Sequence, residues 1–332
     1  MKRIFWIIAL VAIALPLVVA AQEATPEPTP IELEAVDPFA FSGDIITAGS
    51  STVYPVTEAM AERFIEEGFS GNITVESIGT GGGFERFCEA GDTDVANASR
   101  AIKTAELESC AALDPVRTPL EIRIGTDALA VVVSEANDFL TDLTLAQLAQ
   151  IFSGAVTTWD QVDASYPAEA IQLFSPGSDS GTFDYFVEAV LAPEAGGNLG
   201  EEAEAAILNA PGIQFSEDDN VLVQGVEGSP YAIGYFGFAY YIEEEDRLNA
   251  VAINSIAPSA ETAEDNSYPL SRPLFIYTDA GILAEKPQVG AFISFYLTNV
   301  NEVLAEVGYF PASVDALNAA KEAVLEALGT GM

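Results

Sequence analysis

At 332 residues, 49% hydrophobic and 19% charged, the chain has the composition of a folded protein and the length for two lobes. Its 51 Asp and Glu against 12 Lys and Arg leave a formal net charge of −39, which excludes nucleic acid as a partner because a duplex binder needs a basic face to displace counterions. There is no histidine and the two cysteines form no close pair, so the usual zinc motifs are excluded and neither metal nor cofactor is expected.

Lys2 and Arg3 precede an apolar run over residues 4–21 that ends in small residues, and 22–30 is polar and proline-rich. This pattern predicts a secretory signal at 1–21 followed by a flexible tether at 22–42. The alternative is an uncleaved membrane anchor, but Pro16 and the modest length of the run favour cleavage near Ala20 or Ala21. Export places Cys88 and Cys110, 22 residues apart, in an oxidising compartment, where a disulfide is expected.

Residues 45–48 read as a short strand that delivers Gly49, Ser50, Ser51, Thr52, Val53 and Tyr54 to Pro55, a residue suited to the first position of a helix. That helix spans 57–68, with Met60, Phe64 and Ile65 on its apolar face and Gly68 at its end. The alternating run 73–78 is a second strand, leading into a glycine loop, Gly79-Thr80-Gly81-Gly82-Gly83. The segment 94–100 is again a strand and then a polar tip, which carries Arg100. A guanidinium there is either an ordinary surface charge or a bidentate fork for a tetrahedral oxyanion.

Residues 122–124 and 128–133 are two β-like runs, and the first crossing between lobes is placed at Gly125-Thr126-Asp127. A helix at 143–152 and a buried scaffold Trp159 follow, then a strand at 171–174 that feeds SPGSDSGT at 175–182. The spacing of Phe183, Phe186, Val187, Val190 and Leu191 predicts a helix after it, with Ser180, Gly181 and Thr182 in the first turn. Free N–H groups and hydroxyls at such a start favour an oxyanion, although plain helix capping explains this segment taken alone. A helix at 201–210, then 220–226 and 232–241, complete the second lobe. The aromatics of 231–241 fit the two faces of a core strand better than a sugar platform. A returning strand at 273–277 and helices at 288–297 and 313–328 bring the chain home. Three small-residue segments that each follow a β-type run and open a helix exceed what capping needs, and look like walls of one anion cradle. The net charge does not forbid this, since charges outside a sheltered cleft are screened beyond about 10 Å at moderate salt.

From residue 43 to 329 the chain resembles the extracytoplasmic phosphate-binding proteins that feed phosphate ABC transporters. The motifs are GSSTVYPV at 49–56, IGTGGG at 78–83, DVANASR at 94–100, IFSGAVTTW at 151–159, GSDSGTFDYF at 177–186 and YPLSRPLFIY at 268–277. The resemblance implies a type II periplasmic-binding-protein fold: two α/β lobes joined by a two-crossing hinge, with the ligand in the interlobe cleft. The lobes would be 43–125 with 268–332, and 126–267. It also implies inorganic phosphate as ligand, permease subunits of an ABC transporter as membrane partners, a monomer located in the periplasm or on the extracytoplasmic surface, and no enzymatic activity.

Carried over by position, the ligand set is Ser51, Thr52, Val53 through its backbone and Tyr54 from the first segment, and Gly81 through its N–H from the second. Ser180, Gly181 and Thr182 come from the last. Well-known members end the third motif with aspartate and open the last with arginine, where this chain has Arg100 and Pro176. The two charges look exchanged, as in the branch typified by cyanobacterial proteins, which makes Arg100 the cationic fork and Asp179 the acceptor of the phosphate proton. Other readings are a binder of arsenate, sulfate or molybdate, a phosphate sensor or surface protein of the same fold, and a phosphatase using Ser180. The phosphatase lacks a histidine base and a visible metal cluster.

Overall fold

The computed structural model of the chain describes residues 28–178, 180–194 and 201–329, so the expected signal at 1–21, the first part of the tether and Asp179 lie outside the described residues. Strand β1 (Asp44–Gly49) pairs in parallel with β2 (Asn72–Ser77) and with β3 (Val95–Ala98). Helix α1 (Tyr54–Glu66) starts with Pro55 in its first turn and buries Val56, Met60, Ala61 and Phe64, the face expected of its spacing, except that Ile65 is exposed. Helix α2 (Gly79–Glu85) shows that the glycine segment is not a loop feeding a helix but the beginning of the helix itself. Packing overrides the poor helix propensity of glycine here: a side chain on Gly83 would lie 2.6 Å from the Cα of Gly49, so only a bare backbone lets α2 rest on β1. Helix α3 (Thr104–Ala111) is tied to the turn Arg86–Ala90 by the disulfide Cys88–Cys110.

One strand, β4 (Pro119–Ser134), runs where two shorter ones were expected. Its Gly125-Thr126-Asp127 stretch stays extended because neighbours supply ladder bonds there: β11 (Ser271–Asp279) pairs antiparallel along it and β12 (Phe310–Pro311) pairs with Gly125 and Thr126. Between these strands in the chain come β5 (Asp142–Leu143), β6 (Gln172–Pro176), β7 (Gln214–Ser216), β8 (Ala232–Gly237), β9 (Leu248–Ala250) and β10 (Ala252–Ile253). The sheet order is β2-β1-β3-β11-β4-β8-β6-β7, with β9 and β12 also on β4 and with β5 and β10 forming a separate pair. The run 232–241 is a strand only as far as Gly237; Phe238–Glu243 is a short helix, so Phe238, Tyr240 and Tyr241 pack from a helix and not from a strand face.

The core divides along β4. Ile122 and Ile124 join a cluster with α1, β1, β3, most of β11 and the helix Pro287–Glu306. Beyond Asp127 the side chains alternate between two clusters, Leu129, Val131 and Val133 on one face and Ala128, Ala130 and Val132 on the other, as expected of a strand covered on both sides. Helices α4 (Leu145–Phe152) and α5 (Trp159–Val162) cover the first of these faces. Trp159 is fully buried in it, its indole N–H donating to the Tyr231 carbonyl at 3.0 Å and its ring set edge-on to Phe139. The stretch expected as a flexible tether is fastened over its described part. Asn318 and Lys321, on the helix Val314–Ala327, hydrogen-bond Thr29 and Ile31, while Leu33, Val36 and Phe41 pack on the first core.

Strand polarity decides where loops gather. Through β11, the carboxyl end of β3 lies level with Arg123 of β4, and β1 to β3 run in the direction of β4. Through β8, the carboxyl end of β6 lies level with Ala130, and β6 runs the opposite way. Both sets of strand ends therefore aim at the short middle segment of β4, residues 124–129, about 20 Å of extended chain.

Candidate functional site

On the first-lobe side the chain leaves β1 and turns at once. Ser50 N–H donates to Asn97 O at 2.9 Å, Ser50 Oγ accepts from Val53 N–H at 3.4 Å, and Tyr54 N–H donates to Ser50 O at 3.0 Å. Ser51 is exposed at the tip, while Thr52 is only 1% exposed and Val53 fully buried. The Tyr54 hydroxyl donates to the Glu58 carboxylate, which together with burial and neighbouring negative charge raises the phenol above its ordinary value. Both donors of Tyr54 are thus engaged within α1 and its cap. Val53 N–H has only the long bond to Ser50 Oγ to give up.

Helix α2 brings its first turn to the same edge. Thr80 Oγ1 accepts from Ser99 N–H at 3.2 Å and lies 3.1 Å from Ser99 Oγ, so the tip of β3 and the start of α2 are laced together. Gly81 is exposed in that first turn, where helix geometry gives its N–H no intrahelical partner. Arg100 follows Ser99, 5.5 Å over the Phe84 ring, but its fork is taken: Nη1 and Nη2 reach the two Glu106 oxygens at 2.9 and 2.7 Å, and Nη1 also donates to Ala101 O. Burial pushes the Glu106 carboxyl up, and Arg100 with the Lys103 N–H holds it below the usual carboxylate range. The Arg100 side chain is 32% exposed, so this is a rim pair in contact with water.

On the second-lobe side β6 delivers Ser180 as N-cap of α6 (Gly181–Phe186), its Oγ accepting from Thr182 N–H at 3.2 Å. The helix widens into a π-turn at Val187–Leu191 and buries Phe183, Tyr185, Phe186 and Val190. No hydrogen bond among the described residues joins this wall to the first; the two face each other over the middle of β4. A cavity of about 350 Å³ opens behind Thr182, lined also by Asp219, Tyr240, Glu243, Glu306 and Tyr309. Burial and the neighbouring Asp218 and Glu217 push Asp219 up to about 6. Three carboxyl groups without a cation on the lining make that cavity hostile to an anion, and of the expected ligand set only Thr182 borders it.

The middle segment itself holds charges outside the expected ligand set. Asp127 on β4 faces Arg272 on β11 in register and accepts from its Nε at 2.9 Å, with both side chains buried. The Arg272 guanidinium stacks 3.6 Å over the Tyr185 ring, its Nη1 reaches Glu188 at 3.5 Å, and its Nη2 is buried without a partner. Burial pushes Asp127 up and Arg272 pulls it back. One residue further back on β4, Thr126 Oγ1 donates to Glu264 at 2.8 Å, where Arg123 also binds. The signal for the Asp127–Arg272 pair was present: Asp127 is the one charge in the run 124–133 and Arg272 the one charge in the run 270–277.

Residues 23–300 match the family model described as a PBP superfamily domain. The chain is 42% identical over 298 residues to protein SphX of a Synechocystis species, covering 87% of this chain and 84% of that one. It is 34% identical over 273 residues to the phosphate-binding protein PstS of Staphylococcus saprophyticus, with 80% of each chain covered. A crystal structure described as a possible phosphate binding protein from Planctomyces limnophilus superposes with a TM-score of 0.78 at 36% identity, covering 87% of this chain and 99% of that one. The expected type II periplasmic-binding-protein fold is therefore the fold observed. The chain belongs to the PBP superfamily and, within it, to the family of SphX and PstS, a family of binding proteins and not of enzymes.

Proposed function

We propose that this chain is exported, binds inorganic phosphate outside the cytoplasmic membrane and hands it to the permease subunits of an ABC transporter. The observation that carries the reading is the opposed strand polarity on β4, which aims hydroxyl- and N–H-rich turns from both halves at one segment. The PstS relative, named for phosphate binding, supports the choice of anion. Thr52, Ser51 and Val53 N–H from the first turn, Gly81 N–H from α2, and Ser180, Gly181 and Thr182 from α6 supply donors to the oxygens. Tyr54 contributes its ring only, because Glu58 holds its hydroxyl. Arg100, held flat by Glu106, offers its remaining N–H groups from the rim.

Selectivity follows from the proton. Phosphate at neutral pH carries at least one hydrogen, so a carboxylate at Asp179 accepts a bond that sulfate cannot make, and sulfate would meet repulsion there. A hydrogen bond to a charged group contributes about 1.5–3 kcal/mol, enough for roughly tenfold to a hundredfold discrimination. In this reading the lobes are 43–125 with 268–332, and 126–267, and β4 and β11 are the crossings about which they close. Calorimetric titration of the mature, phosphate-stripped protein at two pH values tests it. Phosphate is expected to bind and sulfate to fail at both; equal binding of the two anions, or none of either, overturns the reading.

A further inference from the structure

Among the described residues, Arg272 is a buried charge whose pairing is incomplete. Its partner Asp127 lies inside residues 124–129, the segment at which the strand ends of both lobes aim. Of its guanidinium hydrogens, Nε–H goes to Asp127 and one on Nη1 reaches Glu188 at the limit of bonding distance, while both on Nη2 have no acceptor although the side chain is only 9% exposed. Leaving charged donors unpaired in a buried place is costly, and Asp127 with the Tyr185 face fixes the group in that position. Tyr185 and Glu188 stand one and two turns below Gly181 on one helix face, so the guanidinium lies along the face that begins at the Ser180-Gly181-Thr182 turn. Tyr309 closes the same place, its hydroxyl 3.9 Å from where a side chain on Gly181 would stand. By contrast, both Nη groups of Arg100 are already on Glu106.

Resting on the phosphate reading above, we propose that Arg272 is a direct ligand of the bound anion, giving its Nη2 hydrogens to phosphate oxygen from the hinge. Asp127 positions the guanidinium, and both residues sit on the crossing strands, so this contact is in place whether the lobes stand apart or together. The anion thereby has a preformed seat at the hinge, to which the turns of the two walls close.

The test uses the mature, phosphate-stripped protein labelled with ¹⁵N-arginine. Saturating phosphate should shift the Arg272 Nη resonances, assigned through their loss in Arg272→Lys. Calorimetry should show phosphate binding at least a hundredfold weaker in the charge-balanced double variant Arg272→Met with Asp127→Asn, and less than tenfold weaker in Arg100→Ala. Unshifted Arg272 Nη signals in a protein that binds phosphate would overturn the proposal alone, as would a folded double variant within threefold of the parent. If the double variant fails to fold, the resonances of the parent decide. A parent that ignores phosphate overturns the underlying reading and this proposal with it.

Discussion

The rim around Arg100 and the hinge around Arg272 each pair a guanidinium with a carboxylate, yet they stand in opposite physical situations. Arg100 and Glu106 form a bidentate, partly wet pair six positions apart in sequence, and every Nη group has an acceptor. Arg272 and Asp127 are brought together across 145 residues, are buried, share a single hydrogen bond, and leave Nη2 unpaired. An exposed pair contributes little and is easily kept; a buried one is expensive to assemble and is weak evidence for stability by itself. The difference teaches that completeness of pairing, and not the presence of an arginine near a polar loop, distinguishes a settled charge from one with capacity left for a ligand.

The sharpest way to break that contrast is to remove the carboxylates. Asp127→Asn leaves Arg272 buried beside a neutral group and should destabilise the protein by about 3–5 kcal/mol, whereas Glu106→Gln should cost less than about 1 kcal/mol. Denaturant titration checks both, and equal losses would erase the distinction between hinge and rim. Asp219 supplies a third case, a partly buried carboxyl with no cation beside it among the described residues, raised to about 6 from the ordinary aspartate value. Because the folded value is the higher one, protonation favours the fold, and that advantage is complete below about 3.8 and lost as pH rises through about 6. Asp219→Asn should therefore stabilise the protein by about 2 kcal/mol at pH 7.5 and by nothing measurable at pH 3.5, read as a pH-dependent change in melting temperature.

Two smaller effects concern the ligand. Asp179→Asn should narrow the phosphate-over-sulfate ratio by about tenfold while weakening phosphate itself less, and an unchanged ratio in calorimetry removes Asp179 from the role of proton acceptor. Arg100→Ala should weaken phosphate by about 1 kcal/mol, because its charge is already balanced by Glu106 and screened by water. A loss as large as that of the hinge variant would move the main cation back to the rim.

Much of the fold could be read from patterning. Alternation located β1 and β2, the three-and-four spacing located α1 and the helix starting at Gly181, and Pro55 and Gly68 marked ends that the structure keeps. The failures share a cause. Gly79 to Gly83 looked like a loop because local propensity disfavours helix, yet the contact of Gly83 with Gly49, 34 residues away, demands a bare position at Gly83 inside one. Gly125-Thr126-Asp127 looked like a break because its polarity is local knowledge, while its ladder partners on β11 and β12 are not. Arg100 attracted attention through its neighbours in the chain, and Arg272 escaped it because what makes it informative, the register with Asp127 and the ring of Tyr185, is assembled from three distant segments.

The placement of Trp159 has an optical consequence. It is the only tryptophan apart from Trp6, and it sits fully buried among Phe139, Tyr231 and the α4 side of the sheet. Emission from a chain expressed without residues 1–21 thus comes from a single, shielded fluorophore and reports the melting of the core around it. A titration followed at that wavelength should stay flat while heat is released, whereas the thermal transition should appear in full.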